Sequence, residues 1–335
     1  MEAFGIKGAL LNWFTNWLIG RRQRVVLEGQ SSDWTKVTSS VPQGSVLGPI
    51  LFLIFIDDLR NVVKSNLSLF ADDTKLFRTI KTPHDRSTLQ KDINSMVEWS
   101  KTWLMEFNKE KCQVLSFGKG NPPIYTLGKA TLNPSRCEKD VGVLVPTNLK
   151  FEEQCSAAIS KANSVLGQIK RAFHTRDTGV ILNAFKTYVL PHLDYCCQAW
   201  SPASKKWITK IEKVQKRALK MIPSLGGLSY IDKLKSLQML SLENRRILFD
   251  LSTMFSMQKD QISNPNQSGM KTRSIQNEEL PKPKFRLDIR KNSHLIRTTD
   301  QWNLLPKEVR KSNTLFTFKK KCKELLLTKQ NAVIC

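Results

Sequence analysis

The segment Leu67–Phe77 constrains the fold more than any other part of the chain, because two adjacent carboxylates separate two apolar, β-prone stretches. Leu67, Leu69 and Ala71 alternate with Ser68 and Phe70, and this period of two is typical of a half-buried strand. Asp72 and Asp73 follow at a turn, and Leu76–Phe77 belong to a return strand. The sequence therefore predicts a hairpin that carries paired carboxylates at its tip.

Paired carboxylates at a hairpin tip are suited to holding divalent cations. Carboxylate oxygens are the hard ligands that Mg²⁺ prefers, and two ions about 3.5–4 Å apart can clamp the attacking and leaving oxygens of a phosphoryl or nucleotidyl transfer. A plain turn is the alternative, since Asp is a common turn residue. Taken alone, the Asp-Asp pair favours the turn, and the surrounding motifs reverse that preference.

The second motif is Pro42-Gln43-Gly44, which interrupts a predicted strand ahead of the apolar run Val46–Ile56. That run predicts a helix that begins near Pro49, because proline is tolerated in the first helical turn. Gly44 has no Cβ, so the backbone there can approach a bound ligand closely. A simple strand-to-helix turn explains the motif in isolation.

The two motifs resemble, in order and in spacing, the metal-binding hairpin and the preceding Pro-Gln-Gly segment of reverse transcriptases. Their details resemble the enzymes of LINE-type (non-LTR) retrotransposons. Further blocks that resemble this family cover nearly the whole chain, and they are Trp99–Phe117, Lys139–Val143, Tyr195–Pro202 and Trp302–Pro306.

The resemblance implies an α+β fold: a partial right-hand polymerase palm, made of an antiparallel sheet plus helices, followed by a mostly α-helical thumb and a C-terminal extension. It implies RNA-directed DNA synthesis, in which a primer 3′-hydroxyl attacks the α-phosphate of a dNTP on an RNA template, with Mg²⁺ as cofactor. The implied site residues are Asp72 and Asp73 for metal and catalysis, Gln43, Gly44, Phe70 and Ala71 for nucleotide and template, Lys139, Asp140, Val141 and Gly142 for the primer grip, and Lys111 near the leaving group.

One departure from the family bears on activity. The family has a third catalytic carboxylate on a strand upstream of the Pro-Gln-Gly segment, whereas Met1–Gly8 resembles sequence that follows that strand. Asp57 and Asp58 do not replace it, because we expect them in a surface turn at the end of a helix, where the dipole disfavours anions. We therefore expect a C-terminal fragment whose Mg²⁺ site is incomplete and which is inactive alone.

Charge points to a polyanionic partner. The chain has 53 Lys and Arg against 29 Asp and Glu, a formal net charge of +24. Residues 1–145 contribute +5 and residues 146–335 contribute +19. An excess of this size favours nucleic acid as the partner, although a merely soluble basic surface would have the same composition.

A helix predicted around Trp207–Met221 combines an apolar face with many lysines, so its basic face could lie on phosphates while its apolar face packs. A solvated lysine-rich face is the alternative. The candidate nucleic-acid contacts are Arg21, Lys111, Lys206, Lys210, Lys213 and Arg217.

Seven cysteines at scattered spacing favour buried thiols in a reducing compartment over a disulfide framework or a zinc site. The longest apolar run, Val46–Ile56, is shorter than the ~20 residues of a membrane span. We therefore expect an intracellular protein, in the cytoplasm or nucleus, with no membrane partner.

The pattern of elements, taken with the resemblance, predicts four parts: a partial palm over 1–145, a basic helical thumb-like region over 146–256, a polar linker over 257–285 and a basic helical region over 286–335. Two functions stay open at this level. One is a truncated reverse transcriptase domain, and the other is a non-catalytic nucleic-acid-binding remnant or domesticated protein.

Overall fold

The structure is a computed structural model, and it describes residues 1–118, 120, 122–263, 279–281 and 284–332. It is a mixed α and β structure with two compact units. Of the described residues, the first unit holds Met1–Ser116 and those from Gly120 to Ser135, and the second holds Phe117, Gly118 and those from Arg136 onward.

The first unit contains three helices and nine short strands among its described residues. The helices are α1 (Gly8–Leu18), α2 (Gly48–Ile56) and α3 (Pro83–Thr102). The strands are β1 (Arg22–Gln23), β2 (Val26–Leu27), β3 (Gln30–Ser31), β4 (Thr35–Lys36), β5 (Asn66–Phe70), β6 (Asp73–Phe77), β7 (Gln113–Leu115), β8 (Tyr125–Leu127) and β9 (Ala130–Ser135).

The strands do not form the single antiparallel palm sheet that we expected. β1 pairs with β4, β2 with β3 and β5 with β6, each as an antiparallel ribbon. In a separate three-stranded sheet, β9 is antiparallel to β8 and parallel to β7. Strands of two to six residues leave few ladder hydrogen bonds with which one ribbon could join the next.

Helix α3 is shared by the two apolar clusters of this unit. Met96 and Trp99 pack with Ile56 of α2, while Ile93 packs with Tyr125 of β8. A capping box fixes where α3 begins, because the Thr82 side chain accepts from the Asp85 backbone and the Asp85 side chain accepts from the Thr82 backbone. Apolar residues at helical spacing predict a helix over 87–106, and α3 begins and ends earlier than that prediction.

The helical spacing of Leu10, Trp13, Phe14 and Trp17 predicts a helix with its aromatic face packed on a core, and α1 fits that prediction only in part. Phe14 is buried, but Leu10 and Trp13 are about half exposed. Trp13 stacks on Trp17 with ring centroids 5.6 Å apart. The aromatic repeat predicted the helix correctly and overestimated its burial.

The second unit is predominantly helical, as predicted. It opens with an antiparallel hairpin of β10 (Cys137–Asp140) and β11 (Val143–Pro146). The helices are α4 (Glu152–Ala172), α5 (Thr178–Ala184), α6 (Leu190–Asp194), α7 (Cys197–Trp200), α8 (Lys205–Lys220), α9 (Tyr230–Ser236), α10 (Leu242–Ser263), α11 (Asp288–Lys291), α12 (His294–Asn303), α13 (Lys307–Arg310) and α14 (Leu315–Ala332).

Helical spacing from Val180 to Val189 predicts a helix that Pro191 ends, but the helical structure continues through this proline. A π-helical segment, Phe185–Val189, joins α5 to α6, and Pro191 lies in the first turn of α6. Proline lacks a backbone N–H, and the first turn of a helix is where that donor is least needed. The chain therefore stays helical to Asp194.

Two apolar clusters form the core of the second unit. The larger one joins β11 to α4–α9, with Phe185 and Trp200 among its buried side chains. The smaller one joins α10 to α12, α13 and α14, with Phe255, Trp302 and Phe318 at its centre. The C-terminal helices of the region expected over 286–335 therefore pack on α10.

Two of the expected boundaries, at 145 and at 257, do not coincide with boundaries in the structure. The compact units divide between Ser135 and Arg136 rather than at 145. The expected linker over 257–285 is helical as far as Ser263, and much of its remainder lies outside the described residues.

The buried cysteines agree with the prediction of structural thiols. Cys155, Cys197 and Cys322 are buried and form no disulfide, and burial raises the pKa of the Cys197 thiol to about 12. Cys196 is exposed, contrary to that prediction. Within the described ranges, no helix has the length and apolar character needed to cross a membrane.

Candidate functional site

The Asp-Asp pair lies at the tip of the β5–β6 hairpin, as predicted. Phe70 pairs with Asp73, so the connecting turn consists of Ala71 and Asp72. Ala71 has a φ of 51°, in the left-handed region. Asp73 is therefore the first residue of the return strand, not a residue of the turn. Both carboxylates and their two preceding neighbours are exposed.

The hairpin has one half-buried face and one exposed face. Leu67, Leu69 and Leu76 pack against the cluster formed by α2 and α3. Phe70 and Asp73 lie on the opposite, exposed face, and 63% of the Phe70 side chain is accessible. The period of two along each strand thus leaves an aromatic ring and a carboxylate facing solvent beside each other.

A buried carboxylate anchors the base of this hairpin. Asp92 of α3 is only 3% exposed, and its two oxygens accept from the backbone N–H groups of Lys64 at 3.0 Å and Ser65 at 2.8 Å. These bonds fix the residues that lead into β5. Sequence reasoning missed Asp92, although an acidic residue next to Ile93 on the apolar face of a predicted helix was a visible signal.

The Pro42-Gln43-Gly44 motif forms a closed loop ahead of α2. The Ser45 hydroxyl donates to the Pro42 carbonyl at 2.7 Å and accepts from the Gly48 backbone at 3.0 Å. Gln43 and Gly44 are exposed at its apex. Gly44 has a φ of 80°, and no atom lies within 4 Å of where its Cβ would be, so its backbone is open to a ligand.

Asp57 and Asp58 lie in a 3₁₀ turn, Asp57–Asn61, that follows α2. Asp57 pairs with Arg60 at 3.1 Å, as fits the predicted surface turn. Asp58 accepts from the Trp99 indole N–H at 2.8 Å. That bond links the 3₁₀ turn to α3, and the sequence analysis did not predict it.

Asp72 and Asp73 supply a partial donor set for a metal. Hard carboxylate oxygens fit Mg²⁺ chemistry, and the two side chains are adjacent and exposed. However, within the described residues no three His, Cys, Asp or Glu side chains are grouped so that they could hold an ion. Asp72 and Asp73 are therefore residues of a type that suits Mg²⁺, but two carboxylates are fewer than the three ligating side chains of a grouped metal site.

The four predicted primer-grip residues lie in the second unit, in the β10–β11 hairpin. Asp140 pairs with Val143, so Val141 and Gly142 form the turn. Both have positive φ, 43° and 85° respectively. The Tyr195 hydroxyl donates to the Val141 carbonyl at 2.8 Å, a contact that sequence reasoning did not foresee.

The predicted basic face is exposed on α8. Ile211, Val214 and Ala218 are buried along the other side of the helix. Arg217 donates to the Asn163 side chain at 3.0 Å, and the Lys210 ammonium lies 4.5 Å from the centre of the Trp207 ring. The exposed basic residues of α8 are Lys205, Lys206, Lys210, Lys213, Lys216, Arg217 and Lys220.

The two remaining candidate contacts differ in their surroundings. The Arg21 guanidinium donates to the carbonyls of Leu18 at 2.9 Å and Ser39 at 3.3 Å, so it closes the base of the β1–β4 arm. Lys111 is exposed just before β7. Contact of either residue with nucleic acid stays a prediction.

The structure therefore brings Phe70, Ala71, Asp72 and Asp73 together in one hairpin of an α+β unit. Residues 1–156 match the family model of reverse transcriptase (RNA-dependent DNA polymerase). This match covers the β5–β6 hairpin, which is the predicted metal-binding element.

The relatives confirm the resemblance to LINE-type retrotransposons. The chain is 26% identical over 219 residues to the probable RNA-directed DNA polymerase from transposon X-element of Drosophila melanogaster, covering 62% of this chain and 24% of that protein. It is 24% identical over 216 residues to the RNA-directed DNA polymerase from mobile element jockey of the same species, covering 60% and 24%. It is 26% identical over 224 residues to the probable RNA-directed DNA polymerase from transposon BS, covering 62% and 25%.

The chain thus spans about a quarter of the length of these relatives. No solved structure matches it.

Proposed function

We propose that this chain contributes part of a two-metal nucleotidyl-transfer site to RNA-directed DNA synthesis. The observation that carries the proposal is the exposed Asp72-Asp73 pair at the tip of a hairpin whose base is fixed by buried Asp92. A fixed scaffold holds ligand carboxylates with little reorganisation, which favours metal binding and catalysis.

In this proposal Asp72 binds the divalent ions directly, and Asp73 assists or supports the turn. The chemistry that bound Mg²⁺ supplies at such a site is activation of the primer hydroxyl and neutralisation of charge on the transferring phosphoryl group. The exposed Phe70 ring borders the sugar or base of the incoming nucleotide. Gln43 and the open Gly44 backbone border the template and nucleotide from their loop.

We further propose that the chain is inactive alone as a polymerase. Its described residues offer two carboxylates at the hairpin and no grouping of three metal-ligating side chains. A two-carboxylate site binds an ion weakly and leaves the geometry for in-line attack unfixed. Purified chain with an RNA template, a DNA primer, dNTPs and Mg²⁺ should give no extended primer. Extension that is abolished by Asp72→Ala would falsify this part of the proposal.

The metal site can be tested without activity. Mn²⁺ added to the chain should broaden the backbone NMR signals of Ala71–Thr74 through its unpaired electrons. Asp72→Asn should remove most of that broadening. Asp33→Asn, which neutralises an exposed carboxylate on another loop, should preserve it. Broadening that is equal in wild type and Asp72→Asn would refute a metal site at the hairpin.

The exposed basic face of α8 favours a second candidate function, nucleic-acid binding without catalysis. A face of this kind binds phosphates by releasing counterions, so the logarithm of affinity falls linearly with the logarithm of salt concentration. We propose that it binds RNA or DNA through Lys206, Lys210, Lys213 and Arg217.

A salt titration with matched charge changes tests this second function. The double variant Lys210→Glu/Lys213→Glu should weaken duplex binding and reduce the salt slope by roughly 0.9 for each phosphate that the face no longer neutralises. Lys91→Glu/Lys129→Glu makes the same charge change on exposed residues of the first unit. Equal decreases in affinity in the two variants would show that net charge, and not this face, determines binding.

A further inference from the structure

The turn of the β10–β11 hairpin has a conformation that suits its second residue, Gly142, but that its first residue, Val141, disfavours. Val141 and Gly142 both have positive φ, 43° and 85°, which is the type I′ pattern for a two-residue hairpin. That pattern favours Asn or Asp followed by Gly, and a β-branched residue is a poor first residue for it. Such conformations persist when surrounding contacts hold them.

Tyr195 supplies those contacts. Its hydroxyl donates to the Val141 carbonyl at 2.8 Å. Its ring lies against Gly142, because a Cβ on Gly142 would come within 3.2 Å of Tyr195 Cε1 and 3.5 Å of the hydroxyl oxygen. One side chain therefore binds the carbonyl of the first turn residue and covers the α-carbon of the second.

The backbone of Tyr195 is itself held by the helical core. The indole N–H of Trp200 donates to the Tyr195 carbonyl at 2.8 Å, and the Tyr195 N–H donates to the Pro191 carbonyl at 3.0 Å. Trp200 is fully buried, and the Arg246 guanidinium lies 5.1 Å from the centre of its ring. Tyr195 thus connects a rigid interior to an exposed turn.

We propose that Tyr195 is a positioning residue that holds the Val141–Gly142 turn in its binding-competent shape. This inference rests on the proposed function, RNA-directed DNA synthesis, together with the primer-grip role that the family resemblance implies for Lys139, Asp140, Val141 and Gly142. A turn with fixed backbone groups binds the sugar-phosphate end of a strand without first losing conformational freedom. Removing the hydroxyl of Tyr195 loosens the turn and leaves the fold intact, since 53% of that side chain is exposed.

The first experiment measures the turn directly in the full chain. In Tyr195→Phe, amide hydrogen exchange at residues 140–143 should be about fivefold faster, as befits the loss of one hydrogen bond. Exchange in α4 and α8 should not change. Tyr188→Phe removes the hydroxyl of another exposed tyrosine in the same unit and should leave the turn unchanged. Unaltered exchange at 140–143 in Tyr195→Phe would overturn the inference.

A glycine pair tests the contact with the ring. Gly142→Ala adds a Cβ that meets Tyr195, whereas Gly128→Ala adds one in the β8–β9 turn with nothing within 4 Å. Both positions have positive φ, 85° and 61°, so backbone strain is common to the two. Only Gly142→Ala should quench or shift a fluorinated Tyr195 signal in ¹⁹F NMR. Equal shifts in the two variants would contradict the contact.

The last experiment separates this inference from the proposed function. A primer whose 3′-terminal nucleotide carries 4-thiothymine is photocrosslinked to the chain on an RNA template. Tyr195→Phe should reduce crosslinks to residues 139–143 about fivefold at unchanged overall affinity, which a merely structural role would not do. Faster exchange with unchanged crosslinks would refute the positioning role. If the wild type does not bind the duplex, the proposed function fails, and hydrogen exchange still decides whether Tyr195 holds the turn.

Discussion

At the scale of single residues, the buried carboxylate of Asp92 contributes more to the candidate site than its position in a helix suggests. Asp92→Asn replaces one acceptor oxygen with an amide that faces another N–H donor, so one backbone bond to Lys64 or Ser65 is lost. Hydrogen bonds to charged groups contribute about 1.5–3 kcal/mol to stability. Asp92→Asn should therefore lower the free energy of unfolding, measured by urea denaturation, by about 2 kcal/mol. The control Asp33→Asn, at an exposed position, should change the free energy of unfolding by less than about 0.5 kcal/mol.

Asp85 gives a residue-scale prediction about acid. The Lys81 backbone N–H, the Thr82 hydroxyl and the Thr82 backbone N–H bind its carboxylate and lower its pKa from 3.8 to about 2. A depressed pKa stabilises the fold above the ordinary value, and that contribution disappears as pH falls towards 2. Asp85→Asn should therefore be less stable than wild type at neutral pH, with a difference that shrinks between pH 4 and pH 2. A pH-independent difference in urea midpoints would contradict this.

At the scale of elements, the β5–β6 turn carries strain at Ala71, whose φ is 51°. A left-handed conformation costs a non-glycine residue roughly 1–2 kcal/mol, and glycine avoids most of that cost. Ala71→Gly should raise the free energy of unfolding by about 0.5–1 kcal/mol. The same substitution at exposed Ala157 in α4 should lower it by about 1 kcal/mol. Thermal denaturation distinguishes the two, and equal signs would contradict the turn geometry.

The same elements show what sequence patterns can predict. The β5–β6 hairpin and the start of α2 beside Pro49 follow from local signals, because alternation and helix-start chemistry act over a few residues. The Val141–Gly142 turn does not, since Val-Gly is a weak turn signal and the contact that holds it comes from Tyr195, far along the chain. Helix continuation through Pro191 depends on a π-helical segment, for which the sequence has no comparable signal.

At the scale of the whole molecule, the division into two units was harder to predict from the sequence than the individual helices and strands. The change to helical periodicity after Pro146 predicted a boundary at 145, but Gln154 of α4 accepts from the Leu144 backbone at 2.9 Å. This bond ties the β10–β11 hairpin to the helices, and the units divide before the hairpin, at Arg136. A single side-chain bond of this kind leaves no periodic trace in the sequence, whereas the net charge of +19 over residues 146–335 follows directly from the composition.

The packing of the C-terminal helices on α10 predicts that the second unit unfolds as one. Phe318 is fully buried, and its ring centre lies 4.4 Å from that of Phe255 and 5.7 Å from that of Trp302. Phe318→Ala should lower the free energy of unfolding by about 3–5 kcal/mol. Phe316→Ala removes an equal side chain from the same helix at a position that is 79% exposed, so its effect should stay below about 0.5 kcal/mol.

Hydrogen exchange decides whether this destabilisation is shared across the unit. In Phe318→Ala, the slowest amides of α4 and α8 should lose as much protection as those of α14, because α10 contacts both α8 and α14. If only α12 to α14 lose protection, those helices form a separate cooperative body. The expected boundary at 286 would then be correct for folding, although the helices pack against α10.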